Sequence, residues 1–250
     1  MKCWRKYKDR RVMLEKLKSL NYPGKIYLII FLCVATLISL ISVYNIQSPS
    51  GNRPYLFIFW DTFLAWVPVG IAVILDLLFC YTRKKIRAVL IIFVGASWFF
   101  FFPNAPYLVT DLLHVFARYS FDPDKRFWAD LVFWQHLFTI FTIAILGLLL
   151  GSFSLFSVQN LMRISFGVIA SWIFVIFVLL LSSFGIYIGR FVRWNSWDVI
   201  MRPGYILKEL FIMLTDTSKQ SHIFTFCKFM FMVLIISYVL FYVITRVRKL

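Results

Sequence analysis

The chain has 250 residues, of which 61% are hydrophobic, 20% aromatic and only 15% charged. That balance excludes a water-soluble globular domain, and its apolar runs reach the roughly 20 residues that cross a bilayer, so little length remains for a separate soluble domain. The net charge of +16 would suit nucleic acid, but Lys and Arg cluster beside the apolar runs, where anionic headgroups account for them; the expected partner is membrane lipid and not nucleic acid.

The opening segment 1–25 sets Trp4, Tyr7, Leu14 and Leu17 at helical spacing beneath a basic face and ends at the breaker "NYPG". It predicts a helix lying on the cytoplasmic lipid surface. The run 26–46 is too long for a secretory signal and has no small-residue cleavage site before Ser48, so it is expected to stay as the first span. Further spans are predicted over 55–81, 87–118, 127–157, 165–190 and 223–244, the third broken at Pro103–Pro106, with 26–250 forming one transmembrane domain. The fold class is therefore all-α, a polytopic membrane helix bundle of about six transmembrane helices. In segment 203–216, Ile206, Leu207, Leu210, Phe211 and Leu214 share one face and predict a second interfacial helix.

An even number of spans puts both termini on one side. Of the Lys and Arg residues, 17 fall in the terminal segments and even-numbered loops against nine in the opposite loops, which places both termini in the cytoplasm. Cys3, Cys33, Cys80 and Cys227 have no paired spacing that would hold zinc or frame a disulfide. Gly147/Gly151 and Gly185/Gly189 have the four-residue spacing that lets helices approach closely.

With that orientation, Asp61, Asp111, His114, Asp130, His136, Arg190, Arg193 and Asp198 collect in or near the outer leaflet. Asp76 is the one intramembrane charge of the inner half, expected to snorkel or pair with Arg83 and Lys84. Charge in or near hydrocarbon is costly, so such groups face a cavity, pair, or bind something. In "FFPNAPYLVTDLLH", Pro103 and Pro106 each remove a backbone donor and break the helix. Asn104 is expected to cap the helix that restarts near Pro106, with Asp111, His114 and Arg118 on one face opposite Leu108, Leu112 and Val115. Asp111 and His114 at i, i+3 could perform acid–base chemistry or ligate a divalent metal, with His136 and Asp130 as further ligands; His136 also reads as a hydrogen-bonded core histidine. In "GIYIGRFVRWNSWD", Arg190 and Arg193 are donors suited to phosphate or carboxylate, although Arg snorkels at helix ends, Trp belongs to the interfacial belt, and Asn195 with Asp198 could cap a helix. No Gly-rich phosphate loop, G-x-S-x-G elbow, H-E-x-x-H or Cys cluster is present.

The stretches "FPNAPYLVTDLLH" and "GRFVRWNSWDVIMRP" resemble the signatures of a bacterial multi-pass membrane family known as a domain of unknown function (1361), over about Trp60 to Tyr242. The resemblance implies a small bacterial inner (plasma) membrane protein whose core contains Asn104, Asp111 and His114 in one motif and Arg190, Arg193, Asn195 and Asp198 in the other. It implies no reaction, cofactor or substrate.

Three functions compete. The first is a membrane-embedded enzyme or ligand-binding protein acting on a lipid headgroup or other anionic envelope substrate, with Asp111 and His114 catalytic and Asn104, Arg190, Arg193, Asn195 and Asp198 binding substrate. The second is a non-catalytic partner of other membrane subunits, and the third a small transporter or channel. The near absence of charge in the inner half argues against a continuous pathway. The cost of unpaired charge predicts that Arg190 converges with Asp111 and His114.

Overall fold

The computed structural model describes Glu15, residues 17–47, 51–80, 84–119 and 126–192, separate positions between 201 and 215, and 216–247. Most of the surface helix expected over 1–25, and the apolar face expected at Ile206, Leu207, Leu210, Phe211 and Leu214, lie outside the described residues. All regular structure among the described residues is helical. The elements are α1 (Gly24–Asn45), α2 (Phe57–Cys80), α3 (Lys84–Phe101), α4 (Asn104–Tyr107), a 3-10 turn (Leu108–Leu112) and α5 (Leu113–Arg118). The long helix Leu131–Tyr187 follows, and α8 (Thr217–Val247) ends the chain.

The long helix is interrupted. Gly167 sits at φ 88°, ψ 177°, outside any helical region, so the sequence forms two runs, α6 (131–166) and α7 (168–187). Two helical runs thus occupy the region expected to hold the fourth and fifth spans, meeting at Gly167, and the stretch 158–164, expected as a loop, is helix. The first span begins two residues earlier than expected, at Gly24, and the last extends to Thr217–Val247. Among the described residues, five continuous segments, Leu131–Val192 counted as one of them, are long and apolar enough to cross a membrane. They carry exposed Ile92, Phe93, Leu131 and Ile169, each more than 70% accessible, on surfaces that water would not tolerate at this density but lipid does.

The chain divides into two compact units, Met1–Trp172 and Ile173–Leu250. In the first, α2 buries Ile58, Thr62, Ala65, Val69, Ala72 and Asp76, alternating steps of four and three that keep one stripe facing inward. Helix α1 does the same with Leu32, Thr36, Ser39 and Val43, and the Trp66 indole donates to Thr36 Oγ1 at 3.1 Å. Helix α6 differs, because every residue from 151 to 160 is buried. Within that stretch, the small residues Gly151, Ser152, Ser154 and Ser157 let neighbouring backbones approach between the larger side chains. Ser154 Oγ accepts from the Trp98 indole at 2.7 Å and donates to the Pro68 carbonyl at 2.8 Å, tying α3 and α2 to α6.

In the second unit, α7 from Ile173 onward buries Val175, Val178, Leu179, Ser182, Ser183 and Ile186, and α8 buries Ile223, Met230, Leu234, Tyr238 and Phe241. Tyr187 shares a hydrogen bond of 3.2 Å with His222 Nδ1, and Phe191 and Phe226 pack edge-on beside the pair.

Two glycines respond oppositely to Ala. At Gly167 the space is open but φ is positive, so Gly167→Ala costs about 1–3 kcal/mol of backbone strain. At Gly70, exposed within α2 and equally open, Gly70→Ala stabilises by about 0.5–1 kcal/mol. Thermal unfolding in detergent separates them; equal midpoints would show that the interruption at Gly167 is not needed.

Candidate functional site

Helix α3 runs regularly into Phe102, whose amide bonds the Trp98 carbonyl at 2.8 Å, and there the prolines intervene. The backbone does not open at the break. Pro103 keeps helical angles (φ −59°, ψ −22°), as do Tyr107, Leu108, Leu112 and Leu113, and the chain continues by tightening into the 3-10 turn. The helix restarts at Asn104 rather than near Pro106, and no side-chain bond caps it, so Asn104 is the first helical residue and not a cap. Thr110 Oγ1 donates instead to the Tyr107 carbonyl at 2.8 Å, a local partner within the tightened turn.

The 3-10 winding also brings Asp111 closer into line with Leu108. With three residues per turn, positions i and i+3 eclipse, so Asp111 stacks over Leu108 with Val115 beyond, and all three are buried. Asp111 is therefore on the apolar face rather than opposite it, and the exposed side presents Leu113 and Phe116.

What holds this face inward is α6. A Cβ added at Gly147 would lie 2.5 Å from the Ala105 carbonyl oxygen and 2.8 Å from Leu108 Cβ, and one at Gly151 would lie 3.3 Å from Pro106 Cδ. The four-residue glycine spacing serves packing, as its pattern predicts, and what it packs is the broken segment itself.

Asp111 is 1% exposed, and its Oδ1 lies 3.7 Å from Nε2 of His114, which is 27% exposed. The pair puts a carboxylate inside and a reachable imidazole outside. His114 meets the Phe57 ring edge-on at 4.7 Å, and Arg118 lies over the same ring at 4.8 Å while donating to the Pro54 carbonyl. Tyr55, between them in sequence, is buried and shares a hydrogen bond of 3.1 Å with His136 Nδ1. Burial pushes the Tyr55 phenol up to about 12 against the opposing pull of Arg118, so it stays protonated at neutral pH. Residues 54–57 thus sit between the Asp111/His114 pair and His136. Sequence reading collected the acidic and basic groups but missed Tyr55 and Phe57; two aromatics just before a span look like any interfacial belt.

Asp130 has a local occupation. Its Oδ1 accepts the Val132 amide at 2.9 Å, the geometry of an N-cap for α6, and its other oxygen accepts from the Tyr119 hydroxyl. His136 is the hydrogen-bonded core histidine of the two readings its sequence allowed. Among the described residues no three His, Cys, Asp or Glu side chains come together as a metal site needs. Arg190 lies in the π-helical turn Ile188–Val192 of the second unit. Arg193, Asn195 and Asp198 lie outside the described residues.

At the other end of the first unit, where α1 begins and α2 ends, Asp76 is fully buried and ion-paired with Lys25 at 2.5 Å. Ser157 Oγ donates to the same carboxylate oxygen at 2.7 Å, and the Tyr22 hydroxyl at 3.1 Å. Asp76 is thus held by an inward pair, and the side chain of Lys84, one of its expected partners, lies outside the described residues. Arg83 lies outside the described residues, and Lys25, counted by its position among the surface charges, is 2% exposed.

A bundle of long apolar helices that buries hydroxyls and carboxylates in its interior and exposes many large apolar side chains is a multi-pass helical membrane protein. Residues 60–237 match the family described as Protein of unknown function (DUF1361), and the chain belongs to that family. The match contains Asp76, Asp111, His114, His136 and Ser157, while Tyr22, Lys25 and Tyr55 precede it. No curated protein and no solved structure matches the chain.

Because nothing in the Ala105 backbone can yield to a methyl group 2.5 Å from its oxygen, Gly147→Ala should displace the segment that carries Asp111 and lower stability by about 1–3 kcal/mol, as overpacking does. Gly151→Ala, whose nearest neighbour is a ring carbon at 3.3 Å, should cost less. Comparing the two unfolding midpoints checks the order; a larger loss at Gly151 would contradict the packing described.

Proposed function

We propose that the chain is a membrane-embedded enzyme or ligand-binding protein that acts on an anionic headgroup at the outer membrane face, with His114 as the group that meets the substrate. One observation supports it most: a carboxylate at 1% exposure stands behind an imidazole at 27% exposure, in a segment whose regular helix is interrupted. A buried Asp behind the ring orients it, while the exposed edge of the ring is the part a ligand can reach. Asp111 is then a positioning residue, and Arg118, four residues on and exposed, adds positive charge at the same mouth. The orientation that makes this mouth the outer one rests on the basic residues, 17 on the side of the termini against nine opposite, in a plasma membrane of bacterial type.

Two measurements test the reading. In a cysteine-free background, an impermeant thiol reagent applied to intact cells should label Ser120→Cys and leave Thr82→Cys unlabelled; the reverse pattern would place the site on the cytoplasmic side. In detergent, short-chain phosphatidylglycerol should bind the protein more tightly than phosphatidylcholine. His114→Ala should weaken phosphatidylglycerol roughly tenfold, the loss of about one charge-assisted hydrogen bond, with the unfolding midpoint nearly unchanged. A midpoint that falls together with affinity would make the cluster structural, and equal binding of the two lipids would remove the anionic substrate.

A further inference from the structure

The Tyr22, Lys25, Asp76 and Ser157 cluster is not used by the function proposed above. Three donors converge on one carboxylate oxygen, Asp76 Oδ2: Lys25 Nζ at 2.5 Å, Ser157 Oγ at 2.7 Å and Tyr22 OH at 3.1 Å. The other oxygen, Oδ1, is equally buried and has no hydrogen-bond partner among the described residues. Burial beside Asp76 pushes the Tyr22 phenol up, so it stays a neutral donor.

Seen from the ammonium, the surroundings are those of an ion. Lys25 Nζ has Asp76 Oδ2 at 2.5 Å, Ser157 Oγ at 2.6 Å and the Tyr22 ring at 5.3 Å from its centroid. One full negative charge, a hydroxyl oxygen and an aromatic face are the groups that hold a small monovalent cation when water is excluded. A Ser–Lys nucleophile pair is the other chemistry with these side chains, and the geometry disfavours it: the amine that would take the Ser157 proton is held as an ammonium by Asp76, and Ser157 is only 1% exposed. We infer that Asp76, Ser157 and Tyr22 form a monovalent-cation site, which the Lys25 ammonium fills as a tethered ion.

The site should accept a free ion once the tether is removed. The test uses the full-length protein in detergent, with Lys25→Met and Lys25→Gln, the second keeping a hydrogen-bond donor on a similar stem. Unfolding midpoints are compared in choline, sodium and potassium chloride at equal ionic strength. The wild type should unfold at the same temperature in all three. Both variants should unfold early in choline and recover by about 5 °C or more, saturably, in sodium or potassium. The double variant Lys25→Met/Asp76→Asn, which lacks the charge the ion answers, should not distinguish the salts. Equal variant midpoints in choline and the metal salts would overturn the inference. So would recovery only on acidification, which would mean that Asp76 takes a proton, and so would failure of both variants to fold in every salt, because a cation site would then have been filled by the salt.

Discussion

Each polar group this chain carries into its apolar interior must find a partner inside the protein, because lipid offers none, and α6 is where many of those partners stand. Ser154 meets the Trp98 indole and the Pro68 carbonyl; Ser157 meets Asp76 and Lys25. Each bond joins α6 to a different part of the first unit, so the helix that is buried on every side from 151 to 160 is also the one to which α1, α2 and α3 are fastened. Small residues make both roles possible at once. A hydroxyl on a two-carbon stem reaches a neighbour only when the backbones are close, and glycine and serine are what bring them close.

The same closeness places the candidate site. Two prolines weaken the helical ladder after Phe101, and without support a weakened segment in hydrocarbon would expose carbonyls to lipid. Gly147 and Gly151 let Ala105, Pro106 and Leu108 lie directly on α6, and the 3-10 turn that results puts Asp111 in line with Leu108. A regular α-helix would leave the carboxylate on the same face but about 60° round from Leu108. The break therefore sets the depth and direction of the Asp111/His114 pair, and stability and site geometry share one set of contacts.

Much of this was legible in the sequence, and the rest failed for physical reasons. Composition and run length give a helical membrane bundle without ambiguity, and Pro103 with Pro106 mark the irregular segment. Asp111 is not opposite Leu108 and Val115, because positions three and four apart share a helix face at 3.6 residues per turn and the 3-10 winding brings Asp111 and Leu108 closer still into line. Asn104 was expected to cap because Asn often does, but the chain enters α4 through a proline already at helical angles, leaving no extended residue to cap from. Lys25 was misread for a different reason. A Lys at the edge of an apolar run reads as a surface charge, and only a partner 51 residues away, Asp76, turns it inward. Asp76 itself carried the missed signal, since it falls on the inward stripe that Ile58, Thr62, Ala65, Val69 and Ala72 define.

The two polar ends of the first unit are chemically separate. From His136 to Ser157 along α6 is roughly 30 Å at the rise of an α-helix, and the buried positions between them include Ile140, Ile143, Ala144, Leu146 and Leu150 before the serines begin. The end that holds Asp76 carries one more buried charge, Lys25, than the sequence suggested, yet this apolar band interrupts any line of polar groups along α6. The two ends also differ in where their charges come from. Asp111 and His114 both lie inside the matched family region; Asp76 does as well, but its ammonium comes from Lys25, outside it. A carboxylate at 0% exposure cannot stand uncompensated, since removing one partner of a buried pair costs about 3–5 kcal/mol. Among the described residues, the matched region therefore carries a demand for positive charge that is met from outside it, and the start of α1 is fixed against α2 and α6 because it brings the charge that meets it.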